Sequence, residues 1–95
     1  MIPVNKYFDG KVSSLAFENA EGKTTVGVML PGEYNFGTDT VEYMTIVAGS
    51  MTVKLPGETD WHTYHPFETF RVEKGVRFDL KIVEACAYKC IYKDA

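Results

Sequence analysis

Apolar and polar residues alternate along most of this chain with a period of two. Between Val76 and Val83, Phe78, Leu80 and Ile82 alternate with Arg77, Asp79 and Lys81. That period puts the apolar three on the inner face of a strand and the charged three outside. Met51, Val53 and Leu55 alternate with Thr52 and Lys54 in the same way. Val41 to Ala48 predicts a longer strand, with Glu42, Met44 and Ile46 on one face and Tyr43, Thr45 and Val47 on the other. Just before it, Tyr34, Phe36 and Thr38 share a face of the segment Glu33 to Thr38. Lys11–Glu18, Thr24–Leu30, Thr69–Val72 and Cys86–Tyr92 complete the strands. Ser13, Leu15 and Phe17 share a face of the first, and Tyr88, Cys90 and Tyr92 share a face of the last.

The breaks between these runs carry turn chemistry. Pro31-Gly32 fits the middle of a type II turn, since proline fixes φ and glycine accepts φ > 0. Asn19 to Lys23 predicts a hairpin turn with Gly22 at a left-handed position. Gly27 interrupts an otherwise β-branched strand, which marks a bulge or a close approach of backbone. Asp9-Gly10, Gly49-Ser50, Glu73-Lys74-Gly75 and Glu84-Ala85 are further turns, and Lys93-Asp94-Ala95 is a polar tail. The Tyr7-Phe8 pair is expected to dock on the body. Trp61 to Phe67 predicts a loop packed by aromatics, with a short strand at Trp61–Tyr64 and with Trp61 plugging one end of the fold.

Eight or nine short strands, turns every eight to twelve residues and no sustained helical period predict an all-β architecture. At 95 residues the economical solution is a single domain over residues 1–95, a small two-sheet jelly-roll β-barrel. Exposed sheet edges are a liability, so pairing through an edge or a sheet face predicts a homodimer.

Composition narrows the partners. Ten basic residues stand against thirteen acidic ones, for a net charge of −3. The basic residues are dispersed, which argues against a general nucleic-acid binder. No apolar run reaches the ~18 residues of a membrane span. MIPVNKYFDG lacks the apolar core of a secretory signal, so the expected location is the cytoplasm. Cys86 and Cys90 lie about 13 Å apart on a regular strand. A disulfide needs Cα atoms within ~7 Å, so both are expected as buried free thiols.

Candidate chemistry centres on Glu42. It shares its predicted face with Met44 and Ile46, beside Tyr34, Phe36 and Thr38. A carboxylate among aromatics and a thioether is expensive to bury unpaired, so it belongs to a site, to a pair or to an exposed rim. His62 and His65 straddle a proline-containing loop and lack a third partner in the sequence. The chain has no Walker loop, no GxGxxG after a strand and no nucleophile elbow.

Glu42, six residues and Gly49 resemble the first motif of the cupin barrels. The second cupin motif is echoed at Gly75, with Glu73 in place of its proline. The positions where cupins carry histidine ligands fall here at Phe36, Thr38 and Phe78. One carboxylate does not hold a transition metal alone, so no metal is expected. A metal-dependent cupin oxygenase or isomerase would need ligands that these positions do not supply.

A closer resemblance spans nearly the whole chain. Tyr7-Phe8 with Gly10-Lys11-Val12, Val26-Gly27-Val28-Met29, and Gly32-Glu33-Tyr34 with Phe36 and Thr38 carry its first half. Glu42 with Met44-Thr45, Leu55-Pro56, Thr59-Asp60-Trp61, and Tyr88 with Cys90 and Tyr92 carry its second. These segments resemble the small bacterial pyrimidine/purine nucleoside phosphorylases, a metal-free cupin family. The resemblance implies an enzyme of broad specificity. Nucleoside and inorganic phosphate give free base and ribose 1-phosphate, with phosphate as co-substrate and no cofactor.

For that reaction Glu42 is the expected catalytic residue, stabilising the cation-like sugar by charge or holding the ribose hydroxyls. Tyr34 or Tyr88 would stack on the base, Thr38 would donate a hydroxyl, and Phe36, Met44 and Phe78 would supply dry walls. The inward parity offers no Lys or Arg for phosphate, which leaves Lys11, Arg71 and Arg77 as candidates. The alternative is a non-catalytic cupin that binds a nucleoside or sugar without cleaving it.

Overall fold

A computed structural model of the chain describes residues 1–94; Ala95, the end of the tail, lies outside them. Ten strands follow one another without a helix among the described residues. They are β1 (Val4–Tyr7), β2 (Val12–Asn19), β3 (Gly22–Met29), β4 (Gly32–Gly37) and β5 (Val41–Ala48), then β6 (Met51–Lys54), β7 (His62–Tyr64), β8 (Thr69–Val72), β9 (Arg77–Ile82) and β10 (Cys86–Lys93). They form a six-stranded sheet in the order β1-β2-β3-β10-β5-β8 and a four-stranded sheet in the order β4-β9-β6-β7, with every pairing antiparallel. The chain crosses between the sheets after β3, β4, β5, β7, β8 and β9, as a jelly roll does.

The alternation sets the core. Met44, Ile46, Phe70, Val72, Tyr88 and Cys90 from the larger sheet pack with Tyr34, Met51, Val53, Phe78, Leu80 and Ile82 from the smaller. Cys86 and Cys90 are both buried and unbonded. Burial pushes the Cys86 thiol up to about 11, which leaves it an inert core group at neutral pH.

Register stacks the inner face of the larger sheet into rows. Ile46, Tyr88, Gly27 and Ser14 lie side by side across β5, β10, β3 and β2. The next row outward is Met44, Cys90, Thr25 and Ala16, and the one after it is Glu42, Tyr92, Lys23 and Glu18.

Several local expectations change. β1 pairs with β2 along Val4–Tyr7, a strand too short and polar to show a period. The β2–β3 turn is tighter than the Asn19–Lys23 stretch: Asn19 pairs with Gly22, so only Ala20 and Glu21 form the loop. Gly22 takes φ +103° there. Gly32 opens β4 opposite Ile82 instead of turning a type II corner. Phe67 is 81% exposed and does not pack the loop, whereas Tyr64 stacks on Phe70 at 4.6 Å. Trp61 plugs no barrel end. It lies outside the smaller sheet, with the Lys81 ammonium 4.2 Å from its ring.

Candidate active site

Side chains of both sheets line a cavity of about 640 Å³, a size that suits a small organic ligand. Its aromatic side is built by Tyr7, Phe36, Phe78 and Tyr88. Phe36 and Phe78 are cross-strand partners in β4 and β9, with ring centroids 6.3 Å apart. The strand β1 brings Tyr7 edge-on to Phe36 at 6.0 Å. After it, a turn with Phe8 and Asp9 both at positive φ folds Phe8 back against Phe36 and Tyr34.

The polar side belongs to the larger sheet, where Ser14, Thr25, Glu42, Cys90 and Tyr92 face the same space. Thr25 and Tyr92 share a hydroxyl hydrogen bond of 3.0 Å, and the Cys90 thiol donates to Glu42 Oε1 at 3.5 Å. Burial raises the Glu42 carboxyl above its ordinary value; the Cys90 hydrogen bond opposes that shift and the nearby Asp39 charge adds to it. Burial likewise pushes the Tyr88, Cys90 and Tyr92 groups up. All three are therefore neutral at physiological pH, and Tyr88 and Tyr92 offer intact O–H groups.

The sequence-predicted residues divide into two sets. Phe36, Glu42, Met44, Phe78 and Tyr88 line the cavity together. Tyr34 and Thr38 do not. The Tyr34 hydroxyl donates to the Leu30 carbonyl at 2.6 Å, and its ring supports Phe8 and Phe36 from behind. The Thr38 hydroxyl donates to the Glu73 carbonyl at 2.7 Å and accepts from the Val76 amide at 3.1 Å. It ties the β4–β5 connection to the β8–β9 turn, and its hydroxyl proton is committed to the Glu73 carbonyl.

Contrary to the inward parity expected from the sequence, one cationic side chain does line the cavity. Lys23 lines the cavity, because the tight β2–β3 turn starts β3 at Gly22 and gives Lys23 the inward parity of Thr25. Arg71 and Arg77 do point outward, to Glu73 and Asn35. The sequence signal for Lys23 was the Asn19 side chain, which accepts from the Glu21 amide at 2.9 Å and closes the turn early. His62 and His65 are exposed and sit beside Glu58 and Glu68.

Glu42 is grouped with a thiol and a phenol, and no cluster of three His, Cys, Asp or Glu side chains able to hold a metal occurs among the described residues.

Comparison with known proteins gives one consistent picture. Residues 2–92 match the family model described as pyrimidine/purine nucleoside phosphorylase. A pyrimidine/purine nucleoside phosphorylase from Psychromonas ingrahamii is 54% identical over 89 residues, covering 94% of this chain and 95% of its own length. The crystal structure of a Vibrio parahaemolyticus protein of unknown function superposes with a TM-score of 0.94 at 48% identity, over 98% of this chain and 99% of that one. The iron(II) form of HppE, at 10% identity and TM-score 0.79 over 97% of this chain and 56% of its own, shares the fold alone, a cupin barrel.

Proposed function

This chain belongs to the pyrimidine/purine nucleoside phosphorylase family, and we propose that it cleaves purine and pyrimidine nucleosides with phosphate in the cavity between its sheets. The observation that supports this reading is Glu42, a carboxylate held among aromatic walls in a cavity of about 640 Å³, large enough to admit a nucleoside.

A phosphate oxygen forms a bond to C1′ as the C1′–N bond breaks. The bonding pair leaves with the base, whose nitrogen takes the proton that hydrogen phosphate brought. The products are free base and ribose 1-phosphate, which makes the enzyme a pentosyl-transferring glycosyltransferase that needs no cofactor. The sugar becomes positive on the way. Glu42 faces that charge across a poorly solvated space, where a fixed carboxylate acts strongly. Phe36, Phe78 and Tyr88 offer ring faces to the base, and Met44 a flexible apolar contact. Stacking accepts any base, because each has a π-face, which supports broad specificity.

Uridine, inosine and adenosine are each expected to release free base only when inorganic phosphate is present, with ribose 1-phosphate formed in equal amount. Release without phosphate would make the protein a hydrolase. No release from folded protein would favour a cupin that only binds.

A homodimer completes the proposal. Leu15 stands between Val4 and Val26 on the outer face of the six-stranded sheet, with Val28 one row away. These four side chains are 41–55% exposed, an apolar patch of the kind a protein partner covers. Leu15→Lys is expected to halve the mass seen by light scattering; an unchanged dimer would place the interface elsewhere. No helix is long and apolar enough to cross a membrane among the described residues, and we place the enzyme in the cytoplasm with no nucleic-acid partner.

A further inference from the structure

We propose that Lys23 is the cationic anchor of the phosphate subsite, at the open end of the cavity in the row that also carries Tyr92 and Glu42. The inference rests on the phosphorolysis assigned above and says where its co-substrate binds.

The geometry comes from register. Lys23 pairs with Tyr92, and Tyr92 pairs with Glu42 on its other side. Backbones two strands apart in a sheet are about 10 Å from each other. Lys23 and Glu42 thus flank Tyr92 on one face at that separation, and a small group seated over the Tyr92 side chain lies between their heads. A sugar C1′ facing Glu42 therefore has its attacking phosphate on the Lys23 side. Tyr92 and Thr25 add hydroxyls there, already linked to each other. Thr40 lines the same mouth, and its hydroxyl is the buried side-chain oxygen that has no partner among the described residues.

The charge balance makes Lys23 the necessary choice. Glu18, Asp39 and Glu42 all line the cavity, and Lys23 is the one cationic side chain among its lining residues. Lys23 takes part in none of the ion pairs found among the described residues, so its ammonium is available to a ligand. A phosphate that enters this mouth meets carboxylates unless it sits against Lys23. The cross-strand neighbour Glu18 carries the same sign of charge as phosphate and opposes its binding there.

Steady-state kinetics of the full-length protein tests this with phosphate and nucleoside varied separately. Lys23→Met is expected to raise the KM for phosphate by about tenfold or more, as loss of a charge-assisted contact does, with the KM for nucleoside within about twofold. Lys23→Arg should restore most of the loss. Glu18→Gln should move the phosphate KM the other way, which a merely structural lysine would not predict. An unchanged phosphate KM in Lys23→Met would overturn the proposal. Direct titration with inorganic phosphate, followed by phosphorus NMR, serves even if the wild type turns over no nucleoside. Binding by wild type that is lost in Lys23→Met supports the site, and equal binding or none in both proteins rejects it. Wild type without turnover would count against the phosphorylase assignment, whereas active wild type with an indifferent Lys23 would count against this subsite alone.

Discussion

Glu42→Gln is expected to lower turnover by about 10²- to 10⁴-fold and, in the same protein, to raise the melting temperature at neutral pH. The two effects share one cause. The side chain is partly buried between aromatic walls, and burial raises its carboxyl above the ordinary 4.5. The folded state thus holds the proton more tightly than the unfolded chain does. Below 4.5 the group is protonated in both states and costs nothing. As pH rises through the raised value, the folded chain must ionise a carboxyl in a poor solvent, and stability falls. Glutamine keeps the shape, accepts the Cys90 thiol and never ionises. Its stability advantage should therefore be present at pH 7 to 8 and vanish in acid. The wild-type rate should show the complementary limb, falling in acid at a pH above 4.5 as the carboxylate that faces the ribosyl cation is neutralised. Thermal melts of both proteins across pH, with rates measured on the same samples, check this. A variant that keeps its turnover would remove Glu42 from catalysis. One that melts lower than wild type at neutral pH would show the carboxylate to be a structural anchor.

The period-two pattern carried the fold almost unaided, because strands buried on one face must alternate. Glu42, Met44 and Ile46 do face in together, as do Phe78, Leu80 and Ile82. The pattern does not say which of two half-apolar faces is inner. Leu15 shares its face with Ser13 and Phe17 and turns out on the outside, while Ser14 is buried; both faces of this strand carry apolar residues, so the pattern alone does not choose between them. Nor does alternation report what a polar atom bonds to. Tyr34 and Thr38 have the right parity, but their hydroxyl protons are donated to the carbonyls of Leu30 and Glu73, partners four and thirty-five positions away in sequence. Lys23 was hidden by two residues of turn length, since a residue placed in a turn has no face at all. Tyr7 belongs to the cavity only because β1 pairs with β2, and a four-residue strand leaves almost no periodic trace.

Gly27→Ala is expected to cost about 1–3 kcal/mol of stability, a fall in melting temperature of roughly 5–20 °C for a domain of this size. The interruption that Gly27 makes in β3 is a close approach of three elements. The residue lies between Ser14 of β2 and Tyr88 of β10 on the inner face. A methyl group there would stand 2.7 Å from the Ser13 carbonyl oxygen, 2.8 Å from the Tyr88 hydroxyl and 2.9 Å from the Ser14 Cβ. The phenol is able to swing, but the Ser13 carbonyl is sheet backbone, so β2 must splay from β3 or the β3–β10 spacing must open. Activity should fall with stability, since the Tyr88 ring that moves is a wall of the cavity. Tyr88→Phe separates the two contributions. In the Gly27→Ala background it removes the hydroxyl that the methyl strikes, so the double variant should melt higher than the sum of the single changes predicts. The backbone clash remains in that double variant, and recovery should be partial. A Gly27→Ala protein that melts like wild type would show that the sheet relaxes freely at this point. Strict additivity with Tyr88→Phe would show that the phenol had already moved away.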